Sequence, residues 1–465
     1  MQSQNLPVAI IGAGPVGLAA AAHLLERGET PLVIEAGQSV GQNMMSWAHV
    51  RMFSPWEFTV DAAMVRLLEQ SGWQMPPLGD LPTGGDLVTQ FLRPFAALPI
   101  VKDHIRLDSR VVAISRRYVD KMKDARRDDA PFVIHIENSA GQSEIIEARA
   151  VIDASGTWHN PNPIGAHGLF AVGERQNADH IAYGIPDILG QDTARYRNQR
   201  VLVVGSGHSA INAVLELGKL RTDYPDTKIY WAMRGTRLQQ VYGGETDDQL
   251  PARGALGTRV RALVEDGIVT ILSPFYLKQI VNEHTGVRVI GDCDNHEQSV
   301  LVDEIIATTG ARPDLGMLRE LRLNLDATLE TTPILAPMID PNIHSCGTVP
   351  PHGEAELRHP EKDFYMVGMK SYGRAPSFLL ATGYEQARSV VAYLVGDYEA
   401  AREVQLNLPQ TGVCSTDFAD DEGAACCGTS APVNIEIASV RLGDIAIGGS
   451  PAPQTVIATK PSSCC

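Results

Sequence analysis

Two glycine-rich stretches in this 465-residue chain have the spacing that lets a backbone wrap phosphate. Gly12, Gly14 and Gly17 form G-x-G-x-x-G in "GAGPVG", with Pro15 where a helix would begin. In such a turn the first glycine makes the bend and the second lets backbone approach a pyrophosphate. The third lets helix and strand pack closely, and the helix N-terminus adds positive dipole. The next apolar run, "TPLVIEAG", ends on Glu35 and Ala36, where a carboxylate reaches ribose hydroxyls. A second copy, Gly205, Gly207 and Ala210, has His208 and Ser209 inside the turn. Its following strand ends at Arg234, with Arg237 close by, and not at an acid. Arginine pairs with a 2′-phosphate that a carboxylate would repel. The first turn therefore fits the ADP half of FAD, and the second fits NADPH. Read blandly, the first is an ordinary glycine turn and Arg234 a solvated strand-end charge.

The elements that must position these turns follow from periodicity. "LPVAII" (6–11) reads as a buried strand, followed by an Ala/Leu-rich helix to about Arg27 and the strand ending at Glu35. "RVLVVGSGHSA" and "KIYWAMRGT" repeat that unit. "VLVDEIIATTGARP" (300–313) and "DFYMVGMKSYG" (363–373) each read as a strand entering a glycine turn, and residues 375–397 as one long helix. The fold class is α/β with two Rossmann-like dinucleotide-binding domains, plus a Cys-rich C-terminal tail.

These motifs, in this order, resemble the two-dinucleotide-binding-domain flavoproteins, which include thioredoxin reductase and the class B flavin monooxygenases. The resemblance covers about residues 6–400. "VIDASGTWHNPNP" (151–163) resembles the family's Asp-Ala-x-Gly segment, with Gly156 as its glycine, and "IIATTGARPD" (305–314) its return crossing. It implies an FAD domain interrupted by an NADPH domain. The expected parts are 1–164 and 301–404 for FAD, 165–300 for NADPH, and a partly disordered tail from 405 to 465. It also implies an NADPH-dependent FAD oxidoreductase.

Three departures narrow the choice. No C-x-x-C occurs, which disfavours the usual thiol relay. The family's Gly-Asp pair reads Gly368-Met369. The monooxygenase F-x-G-x-x-x-H signature is loosened, with Phe170, Gly173, His180 and Tyr183 as its nearest counterparts. The segment "MMSWAHVRMFSPWEF" would supply an apolar wall, with Trp47 beside the flavin and Arg51 near flavin or substrate; plain core packing explains its aromatics equally well. Arg51 and His159 are the candidate catalytic residues, although a turn histidine accounts for His159 as readily. His208 fits the shaping of its turn better than catalysis. Ser377, following Pro376, would sit where the long helix aims its N-terminus at the flavin.

The bulk properties bound the partners. The net charge is −16, which speaks against nucleic acid and anionic membrane. No apolar run approaches the ~20 residues of a membrane span, and the N-terminus lacks a signal peptide's basic region, so the expected location is the cytoplasm. The expected partner is a small-molecule substrate, and a homodimer is compatible with the sequence. Of seven cysteines, Cys293 and Cys346 are isolated, whereas Cys414, Cys426, Cys427, Cys464 and Cys465 crowd the C-terminal end. Adjacent cysteines make a strained disulfide but can grip one soft ion, so these five form a candidate metal or metalloid site. With "SWAHVRMFSPW" and "YGGETDDQLPARGALG", this tail resembles flavin monooxygenase-type oxidoreductases encoded in bacterial arsenic-resistance operons. That resemblance implies oxygenation of a soft nucleophile such as trivalent arsenic or a thiol-linked arsenical. Two alternatives stay open: a flavin reductase working through the terminal cysteine pair, and a metalloid-binding chaperone with a vestigial core.

Overall fold

The computed structural model describes residues 6–236, 241–242, 251–343, 349–376 and 378–406. The first strand β1 (Val8–Ile11) runs into helix α1 (Pro15–Glu26), and β2 (Pro31–Ile34) pairs parallel to β1. After helix α2 (Ala62–Glu69) the chain reaches the short β3 (Ile105–Arg106), parallel to β2. An antiparallel meander follows: β4 (Arg110–Arg116), β5 (Phe132–Glu137) and β6 (Ser143–Ala148). It returns the chain to the main sheet as β7 (Ala150–Asp153), on the other side of β1.

The inserted domain repeats this plan. It contains β8 (Ile181–Tyr183), β9 (Arg200–Val204), helix α3 (His208–Asp223), β10 (Lys228–Ala232), helix α4 (Pro251–Glu265) and β11 (Val269–Leu272). A second meander, β12 (Tyr276–Glu283), β13 (Gly286–Cys293) and β14 (His296–Val302), precedes β15 (Glu304–Ala307). The chain then rejoins the first sheet as β16 (Phe364–Met366) and ends in helix α5 (Leu380–Leu394). The two parallel sheets have the orders β16-β7-β1-β2-β3 and β11-β10-β9-β15-β8.

Each sheet has helices on one face and a meander on the other, so its central strands are buried on both sides. Every residue of β1, Val8–Ile11, is buried. The helical face packs α1 through Leu18, Ala21 and Leu24, with α5 against it through Val390 and Val391. The meander face packs Ile114, Phe132 and Ile134 against Ala9 and Val151. Each fully buried Leu or Ile contributes about 1.5–3 kcal/mol. Two buried polar clusters tie distant segments. His23 on α1 meets Asp61, the N-cap of α2, at 3.1 Å. Glu361 accepts from Arg116 Nε and Arg127 Nη2, both at 2.7 Å, with all three side chains buried.

Two elements differ from the sequence-based expectation. The run from 300 onward divides into β14 and β15, which belong to different sheets. Asp303 separates them: it accepts from the backbone N–H of Arg200 at 2.7 Å and pairs with the Arg200 guanidinium. The second sheet therefore extends to Ala307, beyond the expected boundary at 300. The final helix is shorter than 375–397. Arg374 donates its N–H to Leu329 O at 2.7 Å and Ala375 to Tyr372 O at 3.0 Å, while Leu379 is extended, so the helix opens only at Leu380.

The two passages between domains lie side by side. Asn162 N–H donates to Gly310 O at 2.9 Å, Thr309 Oγ1 donates to Asn162 O at 2.6 Å, and Arg312 N–H donates to Asn160 O at 3.0 Å.

Candidate dinucleotide sites

The turn after β1 shows what its three glycines are for. Gly12 adopts φ +99°, and a Cβ there would lie 2.8 Å from Ala154 O. A Cβ on Gly17 would lie 2.0 Å from Gly12 O. Both glycines are required by the chain's own packing. Gly14 is different: a Cβ there would meet no protein atom within 4 Å. Its missing side chain leaves space that the protein itself does not use. Gly14 is the N-cap of α1, with Pro15 in the first turn, no capping side chain and no acid in that turn, so its free N–H groups stay available to an anion. These residues fit the diphosphate of FAD.

Glu35 stands at the end of β2 with its carboxylate fixed by two backbone donors, Ala13 N and Gly37 N, each at 2.7 Å. It lines a cleft together with Gly12, Ala36, Gly156, His159 and Lys370. The sequence readings at Gly12, Glu35, Ala36, Gly156 and His159 thus converge on one cleft. Asp153, at the end of β7, lies buried behind two of its lining residues: it accepts from Ser155 Oγ and from Lys370 Nζ, both at 2.6 Å. Gly368 is left-handed at φ +70°, and its N–H donates to Gln386 Oε1 at 2.8 Å; Met369 follows it in the same short turn. Gln386 Nε2 in turn meets His352 Nε2 at 2.9 Å, and burial pushes the His352 imidazole below its usual range.

The second turn repeats the geometry. Gly205 has φ +133°, and a Cβ there would lie 2.5 Å from Thr308 Oγ1. Gly207, the N-cap of α3, again faces open space, with no capping side chain and no acid in the first turn. His208 and Ser209 begin that helix. The His208 ring lies 5.4 Å from that of Phe53, so the aromatic segment of the first domain reaches the nucleotide turn of the second. Arg234 lies just past β10, is exposed, and among the described residues makes a long 3.4 Å contact to Ala166 O.

Other candidates lie elsewhere. Arg51 donates to Leu81 O at 2.6 Å and lines a separate depression with Trp56, Asp80 and Asp86. Trp47 packs on Gly84, where a Cβ would come within 2.5 Å of its ring. The loosened signature is built into the inserted domain. Gly173 lies against the backbone of β12, His180 Nδ1 bonds Asp303 O at 2.9 Å, Tyr183 donates to buried Glu174, and Phe170 is exposed beneath Arg175. Arg237, Ser377, Cys346, Cys414, Cys426, Cys427, Cys464 and Cys465 fall outside the described residues. Among the described residues no three His, Cys, Asp or Glu side chains are placed to hold a metal, and no helix is long and apolar enough to cross a membrane. The sequence reading missed Lys370, Asp153 and Ser155. The available signal was a lysine inside the apolar run "FYMVGMKSYG".

Comparison with known proteins agrees with this geometry. A family model described as FAD dependent oxidoreductase matches residues 7–76. One described as pyridine nucleotide-disulphide oxidoreductase matches residues 113–342. The search of curated proteins finds no match. Among solved structures, a bacillithiol disulfide reductase from Bacillus cereus is similar at a TM-score of 0.62 and 21% identity, covering 86% of this chain and 99% of that one. A flavin monooxygenase from Stenotrophomonas maltophilia, a double mutant, gives 0.52 and 19%, over 84% and 98%. The ornithine hydroxylase of Pseudomonas aeruginosa, in reduced form, gives 0.55 and 14%, over 84% and 99%. At these identities the likeness is one of fold. Taken with the two family models, the paired glycine turns define the class: an oxidoreductase with two dinucleotide-binding domains, one for FAD and one for a pyridine nucleotide. More narrowly, its fold is shared with solved thioredoxin reductases and flavin monooxygenases.

Proposed function

We propose that this enzyme oxidises NADPH through FAD and oxygenates a soft nucleophile, trivalent arsenic or a thiol-linked arsenical. The observation that carries this reading is the lack of a thiol pair at either nucleotide turn among the described residues. The one described cysteine, Cys293, ends β13 at a hairpin of the second meander, opposite His296. Among the described residues no disulfide neighbours either turn, which is compatible with oxygen as the acceptor. The bound flavin would supply hydride acceptance and oxygen activation. The chain's own part is to bind and orient. The first-turn N–H groups of α1 hold the FAD diphosphate, Glu35 holds the ribose, and Arg234 selects the 2′-phosphate of NADPH. The Phe53–His208 contact sets the nicotinamide turn against the aromatic segment, which keeps water from the reacting atoms.

A second reading is an NADPH-dependent reductase delivering electrons through Cys464 and Cys465. The disulfide reductase among the structural neighbours favours it. One experiment separates the two. NADPH consumption and O₂ uptake are followed together, with and without arsenite, aerobically and anaerobically. O₂ uptake stimulated by arsenite supports oxygenation. Anaerobic NADPH oxidation driven by an arsenical or disulfide, and lost in a Cys464→Ser, Cys465→Ser double variant, supports the reductase instead. No arsenite response in either regime removes arsenic as the substrate.

A further inference from the structure

Lys370 is 1% exposed and yet lines the cleft that holds Gly12 and Glu35. Its ammonium donates to Asp153 Oδ2 at 2.6 Å and to Ser155 Oγ at 3.1 Å. An ammonium has three N–H donors. Among the described residues the third has no acceptor. Asp153 Oδ1 is already taken by Ser155 N and Oγ, and Oδ2 by the first Lys370 bond. Ser155 and Lys370 both line the cleft, so the remaining donor lies on that side.

Position identifies what it meets. Asp153 is the register partner of Ile11 across the β1–β7 pair, one residue before the glycine turn. A Cβ on Gly12 would lie 3.1 Å from Ser155 Cα, so the lysine cluster sits against the phosphate turn itself. A buried ion pair gives little net stability over an apolar pair of the same volume. Keeping one at the wall of a ligand cleft makes sense where a ligand uses the charge. We propose that Lys370 is a cofactor-binding residue, held by Asp153 and Ser155 with its free N–H presented to the diphosphate of FAD. The α1 N-terminus would then hold the diphosphate from one side and a fixed cation from the other. This rests on the assignment of FAD to the cleft.

The test uses the full-length protein stripped of flavin and titrated with FAD, ADP and riboflavin. Lys370→Met alone would leave Asp153 buried without its cation, so the informative variant is Asp153→Asn with Lys370→Met, which keeps an acceptor for Ser155. The dissociation constants for FAD and ADP should rise together by roughly 10- to 100-fold, the range of a lost charge-assisted hydrogen bond. That for riboflavin, which has no phosphate, should not move. Unchanged FAD affinity would overturn the proposal and leave Lys370 a structural residue. Loss for FAD and riboflavin but not ADP would overturn it by moving the contact to the ribityl half, and equal loss for all three would overturn it by showing that the pair shapes the cleft and does not single out the diphosphate. If the wild-type chain bound no FAD, the cofactor assignment would fail first, and visibly so.

Discussion

The contrast between Gly14 and Gly17 permits a sharp separation of folding from binding. A methyl added at Gly14 meets no protein atom within 4 Å, and its φ of −80° suits any L-residue. The cost to the empty protein is that of alanine for glycine at an N-cap, about 0.5–1 kcal/mol. At ~2.1 cal/mol/K per residue, a chain of 465 residues shifts by about 1 °C per kcal/mol, so the Tm of flavin-stripped Gly14→Ala should fall by no more than about 1 °C. The same methyl intrudes where a phosphate should approach. At about 1–3 kcal/mol for overpacking, FAD affinity should drop by roughly 5- to 150-fold. Gly17→Ala inverts the pattern. Its methyl would sit 2.0 Å from a backbone oxygen that cannot move without opening the β1–α1 turn. Its stripped-protein Tm should fall by about 3 °C, the upper end of the overpacking cost, because the strain falls on backbone. Thermal melts of stripped protein, with flavin titrations of each variant, read both effects. A Gly14→Ala protein that bound FAD as tightly as wild type would refute the reasoning, because the empty space at Gly14 would then have no ligand in it.

Other expectations follow from the same geometry. Arg234→Ala should raise KM for NADPH by roughly 10- to 150-fold, the loss of a charge-assisted pair of ~1.5–3 kcal/mol, and leave NADH kinetics nearly unchanged; equal effects on both coenzymes would remove the 2′-phosphate role. Glu361→Ala would leave Arg116 and Arg127 buried without their carboxylate and should cost about 3–5 kcal/mol, read as a drop in Tm. Glu216, on α3, has its carboxyl pushed up to about 7 by burial and by Asp187. A raised folded pKa favours the folded state below the unfolded value near 4.5 and loses that benefit as pH rises to about 7. Glu216→Gln should therefore melt higher than wild type at pH 8, with the gap closing toward pH 4.5; a gap independent of pH would rule out titration of Glu216 as the cause.

The parts legible in the sequence are those fixed by neighbours along the chain. Glycine spacing, a preceding apolar run and a following Ala-rich stretch sufficed to place both turns between strand and helix. The meanders were strand-like in sequence, as "RVVAISR" and "FVIHIE" show, yet nothing local told that they would cover the back of each sheet. Contacts between remote segments left no local trace. Lys370 and Asp153 are 217 positions apart, and Arg116 and Glu361 are 245 apart. The end of the inserted domain was misjudged for a similar reason: only the partner Arg200, far upstream, makes Asp303 a break between two strands.

The paired passages between the domains bear on how such a chain can be rebuilt. Pro161 and Ala311 form a bridge, so a chain opened just beyond them has its two ends about one strand spacing, ~5 Å, apart. Everything from 163 to 309 can in principle be lifted out and the ends joined by a very short linker without pulling on the first sheet. Conversely, another nucleotide module with closely spaced termini could be spliced in at the same place. The inserted domain is thus a cassette that recombination could exchange whole, provided the incoming module also meets Phe53, where His208 now lies.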